Sequence, residues 1–220
     1  MKEKFIHLLD NIKKDLIFLA NEVEHNIRQS IKAFKKQDIK LAEQVIAKDN
    51  EVDDLEVKIE ENILALLALQ QPVAIDLRFI VGGLKMNNDL ERIGDHAANI
   101  AQTVLELKDE PVPAELVKKL NDMKKISCSM LHDVVSSFIH QDADDARDVL
   151  EKDEDVDNLY DEILKDAKEL IKKDVSKINE AFGVVRAARS LERVGDLSTN
   201  IAEDVVFMKD AKIIRHGGGG

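Results

Sequence analysis

One feature limits what this chain can fold into more than any other: most of it is written twice. Shifted by 104 residues, AFKKQDIKLAEQVIAKDNEVDDL (33–55) lies on SFIHQDADDARDVLEKDEDVDNL (137–159) with ten identities in 23 positions, Phe34/Phe138, Asp49/Asp153 and Asp53/Asp157 among them. Shifted by 101, LERIGDHAANIAQ (90–102) lies on LERVGDLSTNIAE (191–203) with eight identities in 13. The change of shift places three extra residues in the first copy, near Pro72. A period of about 105 residues is a duplicated structural unit, not a short-period solenoid.

Inside each unit the apolar residues recur at spacings of three and four, the signature of an amphipathic helix. Phe5, Leu8, Ile12, Leu16, Leu19, Val23, Ile27, Ile31 and Phe34 form one stripe. Gln37-Asp38 reads as a turn and N-cap, and a second helix runs to about Gln71 with Leu41, Val45, Val52, Leu55, Ile59, Ile63 and Leu66. A third, from roughly Val73 to Lys108, carries Met86, Leu90, Ile93, Ala97, Ile100, Val104 and Leu107. Pro111 and Pro113 then break the chain before the pattern restarts. Helices of about 30 residues are roughly 45 Å long. The expected fold is all-α: two tandem, pseudo-symmetric, antiparallel three-helix bundles with six long helices. Residues 1–110 form the first unit, 114–212 the second, and 213–220, ending in four Gly, a disordered tail.

Composition agrees with long helices and narrows the partners. Only three Pro occur, and 44% of the residues are hydrophobic, enough for a sizeable core. A net charge of −12 and the lack of a Lys/Arg stripe argue against nucleic acid, and the same field repels an anionic membrane. The apolar run Ile63–Leu69 is too short for a membrane span, and charges interrupt the N-terminal MKEKFIHLLD, unlike a signal peptide. A soluble, cytoplasmic protein is expected. Cys128 is the lone cysteine, so neither an internal disulfide nor a cysteine zinc site is available.

The chemistry concentrates in carboxylates. Two acid pairs spaced by four recur in register in both units: Asp49/Asp53 and Glu91/Asp95 in the first, Asp153/Asp157 and Glu192/Asp196 in the second. That spacing stacks both carboxylates on one helix face, where like charges cost about 0.2–0.5 kcal/mol per pair. A cation bridging the oxygens reverses the sign. All-oxygen ligation suits hard ions such as Mg, Mn, Ca or ferric iron better than a thiolate-type Zn site. With 44 acids in 220 residues, one such pair is usually solvated surface, but four in register across a duplication are not a common accident. Helical geometry puts Glu91, Asp95 and Gln102, and likewise Glu192, Asp196 and Glu203, off the core stripe. The centre should therefore lie at the surface.

Other shared positions are auxiliary candidates: Asn99 and Asn200, Arg92 and Arg193, and Gly94 and Gly195. For the glycines, close helix packing is the favoured reading over room beside a cluster. Arg92 and Arg193 read as pairing with neighbouring acids in preference to contacting an anion such as phosphate, for which Arg78 is a further candidate. His96 aligns with Leu197 and reads as a solvated side chain. Carboxylate-bridged di-iron enzymes need Glu-x-x-His on two helices. Glu22-Val-Glu-His25 is the single instance, its repeat counterparts being Ile126 and Ser129. No nucleophile triad or phosphate-cradling glycine loop is present, which weakens the enzyme reading. The alternatives are a carboxylate-bridged metalloenzyme acting on phosphate esters and a helical scaffold without metal.

QQPVAIDLRFIVGGLKMNNDLERIGDHAANIAQ (70–102) closely resembles the first signature of the PhoU family of bacterial phosphate-signalling regulators, and RSLERVGDLSTNIAE (189–203) its second. The resemblance covers roughly residues 1–210. It implies that Asp49/Asp53, Glu91/Asp95, Asp153/Asp157 and Glu192/Asp196 are the family's metal motifs, with iron favoured in multinuclear clusters. Gln102, where an acid is usual, and Leu197, where His is usual, depart from the pattern. The resemblance further implies a regulator and not an enzyme: an accessory protein of the phosphate ABC transporter, linking its ATPase to a sensor histidine kinase and repressing the phosphate-starvation response. It also implies a homodimer, held at the inner membrane only through partners.

Overall fold

In the computed structural model, residues 2–107 and 111–210 are described. Lys108 and the proposed tail 213–220 lie outside them. The chain forms α1 (Lys2–Lys36), α2 (Ile39–Gln70), α3 (Ala74–Leu107), α4 (Ala114–His140), α5 (Ala143–Glu151), α6 (Asp153–Lys173) and α7 (Ile178–Asp210), with a 3₁₀ turn at Val175–Lys177 before α7. No strand occurs among the described residues.

The stripes found in the sequence are the core. Ile12, Leu16, Leu19, Val23, Ile27, Ile31 and Phe34 of α1, Val45, Val52, Ile59, Ile63 and Leu66 of α2, and Met86 through Leu107 of the α3 stripe are all buried. Each such aliphatic side chain contributes about 1.5–3 kcal/mol relative to exposure. The α1–α2 turn is a left-handed cap: Gln37 has φ 53°, and the Asp38 N–H donates to the Ala33 carbonyl at 3.0 Å. Asp38 Oδ1 then accepts from the Leu41 N–H at 3.1 Å and starts α2. The second copy repeats this at Gln141, φ 57°, with Asp142 accepting from the Asp144 and Asp145 N–H groups.

One element departs from expectation. The fifth long helix is divided at Lys152 into α5 and α6. There the sequence reads Asp153-Glu154-Asp155, against Asp49-Asn50-Glu51 in the first copy. Three consecutive carboxylates are better placed at a helix N-terminus, where the macrodipole favours them, than mid-helix. The break provides that end, and Lys152 Nζ pairs with Asp133 on α4 at 2.6 Å.

α2 packs on α1 and α3, and α5 and α6 pack on α4 and α7. The halves join through α3 against α7, the most extensive contact in the molecule, and α1 against α4. α3 and α7 run antiparallel. Arg78 Nε near the start of α3 donates to the Met208 carbonyl at 3.0 Å near the end of α7. At the opposite end Glu106 pairs with Arg186. Phe138 of α4 packs on Phe79 of α3 with ring centroids 4.9 Å apart, and a Cβ on Gly82 would stand 3.1 Å from the same ring.

Candidate functional site

Within each half the outer helix lies on α3 or α7, and its two aspartates come to face the acid pair of that helix. In the first half, burial pushes the Asp49 carboxyl up to about 6, and the charges of Asp95 and Asp53 add to it. Glu91 is raised by burial and then by Asp95, Asp53, Glu56 and Asp49. The second half repeats this: burial, Asp157 and Asp196 push Asp153 up to about 6. Asp157 is raised by burial, Asp196 and Asp161, against the opposing Arg189. The four pairs therefore form two clusters, each joining an Asp pair to the Glu/Asp pair of its own half.

The shared glycines carry both roles weighed for them. A Cβ on Gly94 would meet Val52 Cγ1 at 3.0 Å and Asp49 Oδ1 at 3.3 Å. On Gly195 it would meet Asp153 Oδ1 at 3.1 Å and Val156 Cγ1 at 3.5 Å. Each glycine thus sets the helix spacing and keeps the wall beside a carboxylate clear.

The clusters differ in their cations. Arg189 Nη1 donates to Glu192 Oε1 at 2.7 Å, and its guanidinium lies 5.7 Å from the centre of the Tyr160 ring. Arg193 Nη1 donates to Asp196 Oδ2 at 2.6 Å. In the first half Arg92 turns instead to Asp89, at 3.6 Å. No described Lys or Arg forms an ion pair with Asp49, Asp53, Glu91 or Asp95. Glu56 adds a fifth carboxylate there; its side chain accepts from Asn87 Nδ2 at 3.2 Å, and burial, Glu60 and Asp53 raise its pKa.

The auxiliary candidates scatter. Asn99 is exposed, and its carbonyl accepts from Thr103 Oγ1 at 2.9 Å. Asn200 and Glu203 line a polar groove of about 680 Å³ between α3 and α7, with Lys85, Asn88, Asp89 and Asp204. Arg78 is engaged in joining α3 to α7. His96 is half-buried, not solvated as expected. Burial lowers its pKa, with Arg92 and Arg193 adding and Asp95 and Asp196 opposing, which places it where α3 crosses α7. Its counterpart Leu197 is buried. In the single Glu-x-x-His, Glu22 pairs with Lys48 at 3.4 Å and His25 is exposed. Burial pushes the Cys128 thiol up to about 11, so it is no thiolate ligand at neutral pH.

Among the described residues, no three His, Cys, Asp or Glu side chains are drawn together closely enough to hold a metal ion as they stand. Their chemistry nevertheless fits a hard cation. The donors are all oxygen, burial and neighbouring carboxylates destabilise the ionised forms of Asp49, Glu91, Asp153, Asp157 and Glu192, and glycine leaves the wall open. Glu192 Oε2 is buried without a hydrogen bond, Arg193 Nε standing 3.7 Å away.

Comparison with known proteins returns one family. The PhoU domain model matches twice, over residues 16–104 and 120–205. The chain is 38% identical over 213 residues to the phosphate-specific transport system accessory protein PhoU homolog of Aquifex aeolicus, covering 97% of this chain and 96% of that one. The crystal structure of PhoU from Pseudomonas aeruginosa superposes with a TM-score of 0.89 at 30% identity, over 94% of this chain and all of that one. The phosphate transport system regulatory protein PhoU from Streptococcus pneumoniae gives a TM-score of 0.88 at 31% identity, covering 95% and 98%.

Proposed function

The chain belongs to the PhoU family, and from that membership we propose that it is an accessory protein of a phosphate transport system that regulates uptake and signalling without catalysing a reaction. The observation carrying this is the family match in both copies of the unit, over nearly the whole chain of relatives so named. In this reading the protein associates with the ATPase of the phosphate ABC transporter and with a sensor histidine kinase. It represses the phosphate-starvation response when phosphate is plentiful. It works as a cytoplasmic homodimer that reaches the membrane through those partners; no described helix is long and apolar enough to cross one.

The two clusters are its cation sites. Asp49, Asp53, Glu91 and Asp95 would hold one set of ions, and Asp153, Asp157, Glu192 and Asp196 the other. Iron is favoured, with Mg, Mn, Ca and Zn the other candidates. A bound cation supplies positive charge between outer and central helices, where the chain otherwise sets carboxylate against carboxylate. The protein's own part is to aim those oxygens and keep the space beside Gly94 and Gly195 clear.

Disrupting the gene should derepress phosphate-starvation genes in phosphate-rich medium, and the wild-type chain should restore repression. Unchanged expression overturns the regulatory reading. Pull-downs from phosphate-replete cells should recover the transporter ATPase or the kinase, and recovery of neither overturns the partner assignment. Elemental analysis of the purified protein should find iron or another hard cation that is lost when all eight acids become amides.

A further inference from the structure

We infer that the second carboxylate cluster is the weaker and later-filled of the two cation sites because Arg189, seated on Tyr160, competes for its oxygens from within the chain; this rests on the reading of both clusters as cation sites. Three substitutions between the copies make the difference. Where the first copy has Glu56, Asn88 and Asp89, the second has Tyr160, Arg189 and Ser190. The first change removes a carboxylate, which Asp161 in place of Val57 partly restores beside Asp157, and supplies a ring. The second sets a guanidinium over that ring at 5.7 Å and on Glu192 Oε1 at 2.7 Å. The third removes the acid that draws Arg92 away at 3.6 Å, and Arg193 instead bonds Asp196 at 2.6 Å.

A cation entering the first cluster meets carboxylates that no described Lys or Arg pairs with. A cation entering the second must displace one guanidinium from Glu192 and another from Asp196, and it is repelled by both while they stay near. Ion pairs whose arginines are half-exposed are individually weak, so the combined handicap is about tenfold in affinity. Arg189 is a specificity-determining residue here, not a ligand.

The experiment uses full-length protein stripped with a chelator and titrated with Mn²⁺ at low ionic strength, free Mn²⁺ being read by its paramagnetic resonance signal. The D153N/D196N variant retains the first cluster, and D49N/D95N the second. The first variant should bind Mn²⁺ about tenfold more tightly. Adding Arg189→Asn to D49N/D95N should close most of that gap, whereas Arg189→Lys, which keeps the charge, should not. Equal affinities, a tighter second cluster, or indifference to Arg189→Asn overturns the inference while leaving both clusters as cation sites. Lack of Mn²⁺ uptake by the wild type overturns the underlying reading. Should a double variant fail to fold by circular dichroism, wild-type protein still decides: its two-phase isotherm should draw toward one phase in Arg189→Asn.

Discussion

The two carboxylate clusters share a scaffold and differ in their counter-charges. Asp49 and Asp153 are both raised to about 6, both chiefly by burial, and both sit beside an in-helix glycine. Glu56 adds negative charge to the first as Asp161 does to the second, but around the first Arg92 is turned away to Asp89. Around the second, Arg189 and Arg193 hold Glu192 and Asp196 directly. The duplication fixes where the carboxylates sit, while a few surrounding side chains decide how much of their charge is left uncompensated.

The sharpest way to break the comparison is to damage one half's core. Phe34 and Phe138 are repeat counterparts and both are buried, so Phe34→Ala and Phe138→Ala should each cost about 3–5 kcal/mol. Phe138 also packs on Phe79 across the two halves. Calorimetry should therefore show a single lowered transition for both variants, and two separated transitions would mean that the halves fold independently.

Glycine tests whether the two walls are equally rigid. At Gly94 the added methyl meets the stiff β-branched Val52 at 3.0 Å, whereas at Gly195 its closest neighbour is a carboxylate oxygen of Asp153 at 3.1 Å. Gly94→Ala should lose about 1–2 kcal/mol in denaturant unfolding, the clash outweighing the gain of about 1 kcal/mol in helix propensity. Gly195→Ala should be nearly neutral, because the carboxylate can turn aside.

Charge removal probes what the clusters share. In chelated protein Asp49→Asn and Asp153→Asn should each stabilise by about 1 kcal/mol after allowing for solvent screening, or roughly 2–4 °C in Tm. The sign follows from the raised carboxyls. Between the ordinary aspartate range and about 6 the folded state binds more protons than the unfolded one. The stability from these groups is complete below that window and lost as pH rises through about 6. Each amide's advantage should therefore be present at pH 7.5 and shrink by pH 5 in thermal unfolding.

The smallest effects belong to the turns. Gln37 and Gln141 hold left-handed conformations that glycine adopts without strain. Glycine should stabilise each turn by up to about 1 kcal/mol in thermal melts. Gln37→Gly should gain less, because Gln37 Nε2 also donates to the Phe34 carbonyl at 3.1 Å.

Much of this was legible in advance, and the boundary of legibility has a physical cause. Helical periodicity tells which residues share a face, so the stripes, the Gln-Asp turns and the acid pairs could be read directly. It does not tell which helix lies against which, so the joining of Asp49/Asp53 to Glu91/Asp95 needed the packed structure. The residues that distinguish the clusters sit just beyond the matched windows. Glu56/Tyr160 follows Leu55/Leu159, while Asn88/Arg189 and Asp89/Ser190 precede Leu90/Leu191. They lie within two residues of the repeated segments, where the two copies diverge. The division at Lys152 was signalled only by the run of three acids after it.

The antiparallel pairing of α3 with α7 gives one polypeptide the layout of a two-fold dimer of three-helix units. In a true homodimer every substitution appears twice, so one site cannot be tuned without altering its mate. Joining both copies in a single chain lifts that constraint: position 88 and position 189 are inherited separately. Asparagine and arginine can then occupy equivalent places, and an ancestral symmetry becomes a pair of unequal carboxylate clusters.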